Sequence, residues 1–285
     1  MICDEVLLDP RSKGLPDGWL EPLRAFEEFL RAGGAQETTL KTRLDHGRRL
    51  ARGLQVPPDK VTPDMLMAWL AGQAWSLETR RSWNATLREL WKFWLDTGRV
   101  AVDATAVLPK VKAPKHKPRP MPEPVYARAL MRAVKRTWLI LRLATEFGLR
   151  RGEIALVNEA DLIEDLAGWS LTVHGKGGKM RVIPLTDEMA GLIAAACKEG
   201  GGWAFPGKIN GHLSAEYVGK LAVKALQEAT LHQGRHRFAT RTLRKTGNLM
   251  IVKELLGHES LATTQMYLEI EPDELRAAVE AVAAA

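Results

Sequence analysis

PKVKAPKHKPRPMPEP, residues 109–124, divides this chain. Pro109, Pro114, Pro118, Pro120, Pro122 and Pro124 punctuate it. Proline has no amide donor and restricts the residue before it, so the stretch cannot be a regular helix. An extended, polyproline-like connector is expected. It also carries Lys110, Lys112, Lys115, Lys117 and Arg119, with no acid before Glu123. A solvated linker and a strap along phosphates are both compatible with that composition.

Before the connector the apolar pattern is helical. Trp19, Leu23, Phe26 and Leu30 fall at i, i+4, i+7, i+11, and Leu40, Leu44, Ala51 and Leu54 form the next stripe. Lys41, Arg48 and Arg52 form a basic stripe on that second helix. Thr62 before Pro63 reads as a cap and first turn running to about Gly72. Ser76 reads as the cap of a fourth helix, with Trp83, Leu87, Leu90 and Trp94 as its apolar face and Gly98 as its stop. Arg80, Arg81 and Arg88 on this helix are candidate DNA contacts, or simply solvated charges.

After the connector, one or two helices are expected over about 123–150. Trp169–His174 and Met180–Leu185 alternate on either side of GKGGK, residues 175–179, which reads as a β-hairpin. Residues 187–199 read as a helix, Trp203 and Phe205 lie in a Gly/Pro-bounded segment, and short helices follow. The last, about 272–284, has Leu275, Val279 and Val282 as its apolar positions. The expected fold is mainly α with a small β-hairpin or sheet. The expected domains are an N-terminal segment 1–17, a helical domain 18–108, the linker 109–124 and a mixed α/β domain 125–285.

Composition narrows the class. The 285 residues are 46% hydrophobic and 26% charged, ordinary for a globular protein. No apolar run approaches the ~20 residues that span a bilayer, and MICDEVLLDPRSKG is too short and acidic for a signal peptide. No membrane partner and a cytoplasmic location are expected. Cys3 and Cys197 match no metal or redox spacing. The net charge of +7, of which residues 1–120 carry +5, suits a polyanionic partner.

Five local patterns remain: GLRRGE (148–153), HGKGGKMRVIPL (174–185), HQGRHRFAT (232–240), LLGHES (255–260) and TTQMY (263–267). Each is weak alone. GKGGK lacks the flanking residues of a Walker A loop. His232 and His236 stand at i, i+4, but no nearby carboxylate or cysteine completes a metal site. In this order, however, they resemble the tyrosine recombinase (phage integrase) family. Its pattern is an Arg in GLRxxE, a Lys in a hairpin turn, HxxRH, GH, and a Tyr nine residues after that last His. These fall on Arg150, Lys176, His232 with Arg235, His258 and Tyr267. The resemblance covers most of residues 125–270, while residues 19–98 are similar to the family's core-binding domain by pattern only. Gly234 departs from the usual Leu, and is expected to loosen local packing without removing a functional group.

The resemblance implies a double-stranded DNA partner and a covalent 3′-phosphotyrosine on Tyr267. It also implies a tetramer on two DNA sites working through a Holliday junction, with accessory proteins as further candidates. A phosphodiester under attack gains charge on its non-bridging oxygens, and permanently charged, forked guanidiniums suit them, so Arg150 and Arg235 form the clamp. His258 adds a hydrogen bond. A phenol ordinarily ionises near pH 10, so Tyr267 needs a base or a strongly positive site, and His232 is the candidate base or positioning group. Lys176 is the candidate acid for the leaving 5′-oxygen. Glu153 and His236 are read as supporting residues. No cofactor and no metal are called for, because side chains supply the cations. An integrase of phage or mobile-element DNA is the leading reading. Xer-type dimer resolution, a type IB topoisomerase and a non-catalytic DNA-binding protein are the alternatives. The acidic last helix is expected to dock on protein, either its own domain or a neighbouring subunit.

Overall fold

The computed structural model describes residues 14–113 and 118–258, together with Thr264 and Tyr267. The final helix expected over 272–284, residues 1–13, Lys115 and Lys117 lie outside the described residues. Contacts divide the chain into two units, residues 1–115 and 116–285. Among the described residues the protein is mainly helical, with a small antiparallel sheet, and no helix is long and apolar enough to cross a membrane.

The first unit is four helices: α1 (Leu20–Ala32), α2 (Glu37–Leu54), α3 (Pro63–Ala71) and α4 (Leu77–Asp96). The caps are those the residue types require. Thr62 accepts from the Met65 amide and Ser76 from the Thr79 amide. Gly98 sits just past the C-cap of α4 at φ 70°. Trp19, Phe26, Leu40, Leu50, Leu66, Leu87, Leu90 and Trp94 are wholly or almost wholly buried. Tryptophan brings large apolar area and carries an N–H that usually finds a partner when buried. Trp19 Nε1 donates to the Val56 carbonyl (2.7 Å) and Trp94 Nε1 to that of Pro22 (3.0 Å), so the same side chains that fill the core also tie its turns. At Gly47 a Cβ would lie 2.5 Å from Leu23 Cδ2, so a larger residue there would have to push the Leu23 side chain of α1 aside.

The second unit opens with α5 (Glu123–Arg132), so the helix begins inside the segment read as linker, at Glu123 behind its N-cap Pro122. Then come α6 (Lys135–Glu146) and α7 (Arg151–Ala155). β1 (Leu162–Asp165), β2 (Gly168–His174) and β3 (Met180–Pro184) form an antiparallel sheet in that order. The hairpin is where the alternation put it. The extra strand β1 pairs Leu162 with Leu171, and Leu171 pairs with Ile183. Next follow α8 (Asp187–Glu199), the short β4 (Pro206–Ile209), α9 (Ala215–Leu226), α10 (Leu231–Thr246) and α11 (Leu249–Leu256). The core of this unit centres on α6, whose Leu139, Ile140, Leu141, Leu143 and Ala144 are buried with Leu171, Val173 and Ile183 of the sheet and Ile193 of α8.

Gly234 does not loosen this packing. A Cβ there would lie 2.7 Å from Thr145 Cγ2 and 3.4 Å from Met121 Cε, so the neighbours have closed into the space a side chain would take. The Met121 amide also donates to the Gln233 carbonyl (3.0 Å). Arg237 grips the Glu123 carboxylate through Nε (3.0 Å) and Nη2 (2.8 Å), and Arg241 adds a third bond (2.9 Å). The chain therefore enters the second unit moored to α10.

Candidate active site

Glu153 is the hub of the site. It lies in the first turn of α7, with its side chain only 3% exposed. Arg150, the N-cap of α7, donates its backbone N–H to Glu153 Oε2 (2.8 Å) and its guanidinium to Oε1 (2.7 Å). Arg181 of β3 makes a two-pronged contact with the same carboxylate, at 2.8 and 2.7 Å, and donates from Nε to the Leu255 carbonyl. Arg235 of α10 lies 3.8 Å away. Burial alone would push the Glu153 carboxyl up. The hydrogen bonds and charge of Arg181, then the bonds from Arg150, overcome it and hold the group at about 2. Three guanidiniums thus surround one ionised carboxylate, an excess of positive charge suited to an anion.

Arg235 is buried, and its two terminal nitrogens donate to the carbonyls of Gly148 and Leu256. Burial, then the Arg150 charge, lowers its affinity for its proton to about 9, and it remains charged at neutral pH. Gly148 stands at φ 69°, and a Cβ there would lie 2.5 Å from Phe238. Glycine is therefore required twice over at the turn that offers Arg235 its carbonyl. The side chain of Arg150 is 43% exposed, so its guanidinium is held at one edge by Glu153 and faces outward at the other.

His258 follows Gly257 at the end of α11. Its Nδ1 lies 2.9 Å from Thr264 Oγ1, and Thr264 is fully buried. The Tyr267 amide donates to the Thr264 carbonyl (3.0 Å), so His258 and Tyr267 are placed by the same residue. Tyr267 is buried, packed with Ala239, Val252 and Leu256, and its ring lies 5.4 Å from that of His236. His236 in turn lies against His232, Nε2 to Nε2, at 2.8 Å. Burial raises the Tyr267 phenol, while Arg235 and Arg150 pull it back. Burial first, then neighbouring positive charge, pushes His258 down to about 4 and also lowers His232. His236 likewise falls to about 4, through burial, His232 and Arg235.

A pH dependence follows. An imidazole whose folded pKa lies below its ordinary 6.5 binds fewer protons folded than unfolded. Its contribution is fully present above pH 6.5 and is lost as pH falls from 6.5 towards 4. Glu153, held near 2, begins to add to the loss only below its ordinary 4.5. The melting temperature of the full chain is therefore expected to fall between pH 6.5 and 4.5. A flat profile over that window would mean that the histidines charge in place without cost.

The structure brings Arg150, Glu153, Arg235, His232, His236, His258 and Tyr267 into one cluster. The side chain of Lys176 lies outside what the structure describes; its backbone is in the 3₁₀ turn Lys176–Gly178 of the hairpin. Sequence reading missed Arg181. The signal was available, because Arg181 shares a strand face with the apolar Ile183, so it had to point inward. Among the described residues no group of three His, Cys, Asp or Glu side chains is placed to hold a metal.

The candidate DNA contacts divide. Lys41, Arg52, Arg81, Arg88, Lys110, Lys112 and Arg119 are exposed. Arg48 is buried, at 6% exposure, and pairs with Asp45 (3.1 Å), so it leaves the outward stripe. Arg80 is half-buried and donates to the carbonyls of Leu70 and Gln73, which closes the turn between α3 and α4. Arg88 also donates to the Leu108 carbonyl, fixing the start of the linker. Arg49, which the sequence reading passed over, is exposed and lies over the rings of Trp75 (5.4 Å) and Trp83 (5.9 Å).

Known proteins resemble this chain in sequence and in fold. The phage integrase family profile matches residues 123–274. A tyrosine recombinase XerC of Methylobacterium nodulans is 30% identical over 304 residues, covering 94% of each chain. The XerC of Xanthomonas campestris pv. campestris (strain B100) is 33% identical over 216 residues, covering 69% of this chain and 64% of that protein. The chain thus spans just under two thirds of the length of that relative. A lambda integrase (75–356) dimer bound to a COC′ core site shares the fold, with a TM-score of 0.72 at 19% identity, covering 88% of this chain and 98% of that one. By the extent of the profile match and the identity to these relatives, the chain belongs to the phage integrase family.

Proposed function

We propose that this protein is a site-specific DNA recombinase that cleaves and rejoins strands through a covalent 3′-phosphotyrosine on Tyr267. The observation that carries the reading is the Arg150–Arg181–Arg235 cluster around the single carboxylate of Glu153, in one site with His258 and Tyr267. Fixed cations aimed at a phosphate stabilise the charge that develops as the phenolic oxygen attacks and the 5′-oxygen leaves, and such preorganised donors are each worth roughly 3 kcal/mol. The exchanged bond stores the energy of the original phosphodiester, so rejoining needs no nucleotide. Its substrate is double-stranded DNA, with a tetramer on two sites as the working assembly, accessory proteins as further partners, and the cytoplasm as the place of action. Integration or excision of phage or mobile-element DNA is the role proposed. The XerC relatives favour a second, chromosome dimer resolution. Incubation with a nicked suicide duplex tests the chemistry: a denaturant-resistant protein–DNA adduct and exchanged products support recombination. Relaxation of supercoils without exchange would favour a topoisomerase, and no adduct would reject both.

Lys176, at the hairpin turn, is proposed as the acid that protonates the leaving 5′-oxygen. Lys176→Ala is expected to be largely rescued on a 5′-bridging phosphorothiolate, whose sulfur leaves without a proton. Equal defects on oxygen and sulfur substrates would make Lys176 a phosphate contact instead.

A further inference from the structure

His232 and His236 are one helical turn apart on α10, their rings nearly perpendicular and their Nε2 atoms 2.8 Å apart. A hydrogen bond between two imidazoles needs one protonated nitrogen and one bare one. The other nitrogen of His236 decides which is which. His236 Nδ1 is buried and has no hydrogen-bond partner among the described residues. Orphaned buried N–H groups are rarer than under-satisfied acceptors, so the proton belongs on His236 Nε2, which is paired, and Nδ1 is left bare. His232 Nε2 must then accept, and the neutral His232 ring carries its own proton on Nδ1.

We infer that His236 is a positioning residue that fixes His232 as its Nδ1–H tautomer, so that His232 meets the scissile phosphate as a hydrogen-bond donor. This rests on the recombinase reading for the role of His232, and on geometry alone for the tautomer. The lone pair that a general base would use is already engaged by His236. Burial first, then the Arg235 charge beside both rings and the Arg150 charge beside His232, favours neutral rings and so preserves the arrangement. His232 thereby joins the guanidiniums as a neutral donor, a role the sequence reading left open beside that of base.

Long-range ¹H–¹⁵N correlation on the full chain with ¹⁵N-labelled histidine reads the tautomers directly. At pH 7.5 His232 is expected as the Nδ1–H form and His236 as the Nε2–H form. His236→Gln, which keeps a donor near Nε2, should preserve the His232 signature, and His236→Phe should release it to the Nε2–H form. An Nε2–H signature for His232 in the unaltered protein overturns the inference. The chemical arm uses the suicide duplex. Asn places an amide N–H near the position of Nδ1 and Gln near that of Nε2, so His232→Asn should form adduct about tenfold faster than His232→Gln, the scale of one hydrogen bond. The reverse order overturns the donor role. Absence of adduct even from the unaltered protein would reject the recombinase reading instead, and the spectra would still decide the tautomer.

Discussion

Tyr267→Phe is expected to abolish the covalent protein–DNA adduct while leaving the fold and DNA binding intact. The substitution removes one oxygen. The ring packs with Ala239, Val252 and Leu256, and phenylalanine fills that space equally well, so no cavity forms. The oxygen is the sole atom of this residue that can bond to phosphorus, and loss of a nucleophile is not compensated by binding. A gel shift at unchanged DNA affinity, beside a denaturing gel without adduct, is the expected pair of results. A Phe variant that still gave a denaturant-resistant adduct would place the nucleophile elsewhere.

Glu153→Ala is expected to destabilise the second unit by about 3–5 kcal/mol, the range for removing one partner of a buried ion pair. The carboxylate is buried and receives Arg150 and Arg181 directly, with Arg235 behind them. Without it the guanidiniums repel one another, and only Arg150 has ready access to water. The drop is read as a lower urea midpoint at unchanged slope. Glu153→Gln should fall between, because an amide keeps one acceptor oxygen but not the charge. Both variants should also cleave more slowly, since the clamp loses its alignment. A Glu153→Ala protein as stable as the original would show that the guanidiniums hold themselves in place.

Much of this was legible in the sequence for identifiable reasons. The caps Thr62 and Ser76, the hairpin alternation around residues 175–179 and the spaced motifs from Arg150 to Tyr267 are local signals, and local chemistry decided them. What escaped was set by partners distant in the chain. β1 is a short strand, LIED, whose mostly exposed residues carry no alternation. Arg48 looked like a member of a basic stripe, yet the packing around α2 buried it. Arg181 looked like one charge in a hairpin until its register with Val173 turned it toward Glu153. Gly234 looked like a gap because Met121 and Thr145, which fill it, lie 113 and 89 residues earlier.

The mooring of Met121 and Glu123 on α10 gives the helix a mechanical role beside the chemical one proposed for it. The load path of the chain entering this unit runs through Gln233, Arg237 and Arg241, and Gln233 is the immediate neighbour of His232 and two residues from Arg235. A displacement of residues 118–121 is thus passed by direct hydrogen bonds to α10, which carries His232 and Arg235. Displacements of about 1 Å are enough to cost a positioned reaction on the order of 100-fold, so the tether doubles as a strain gauge whose reading is the alignment of the donors.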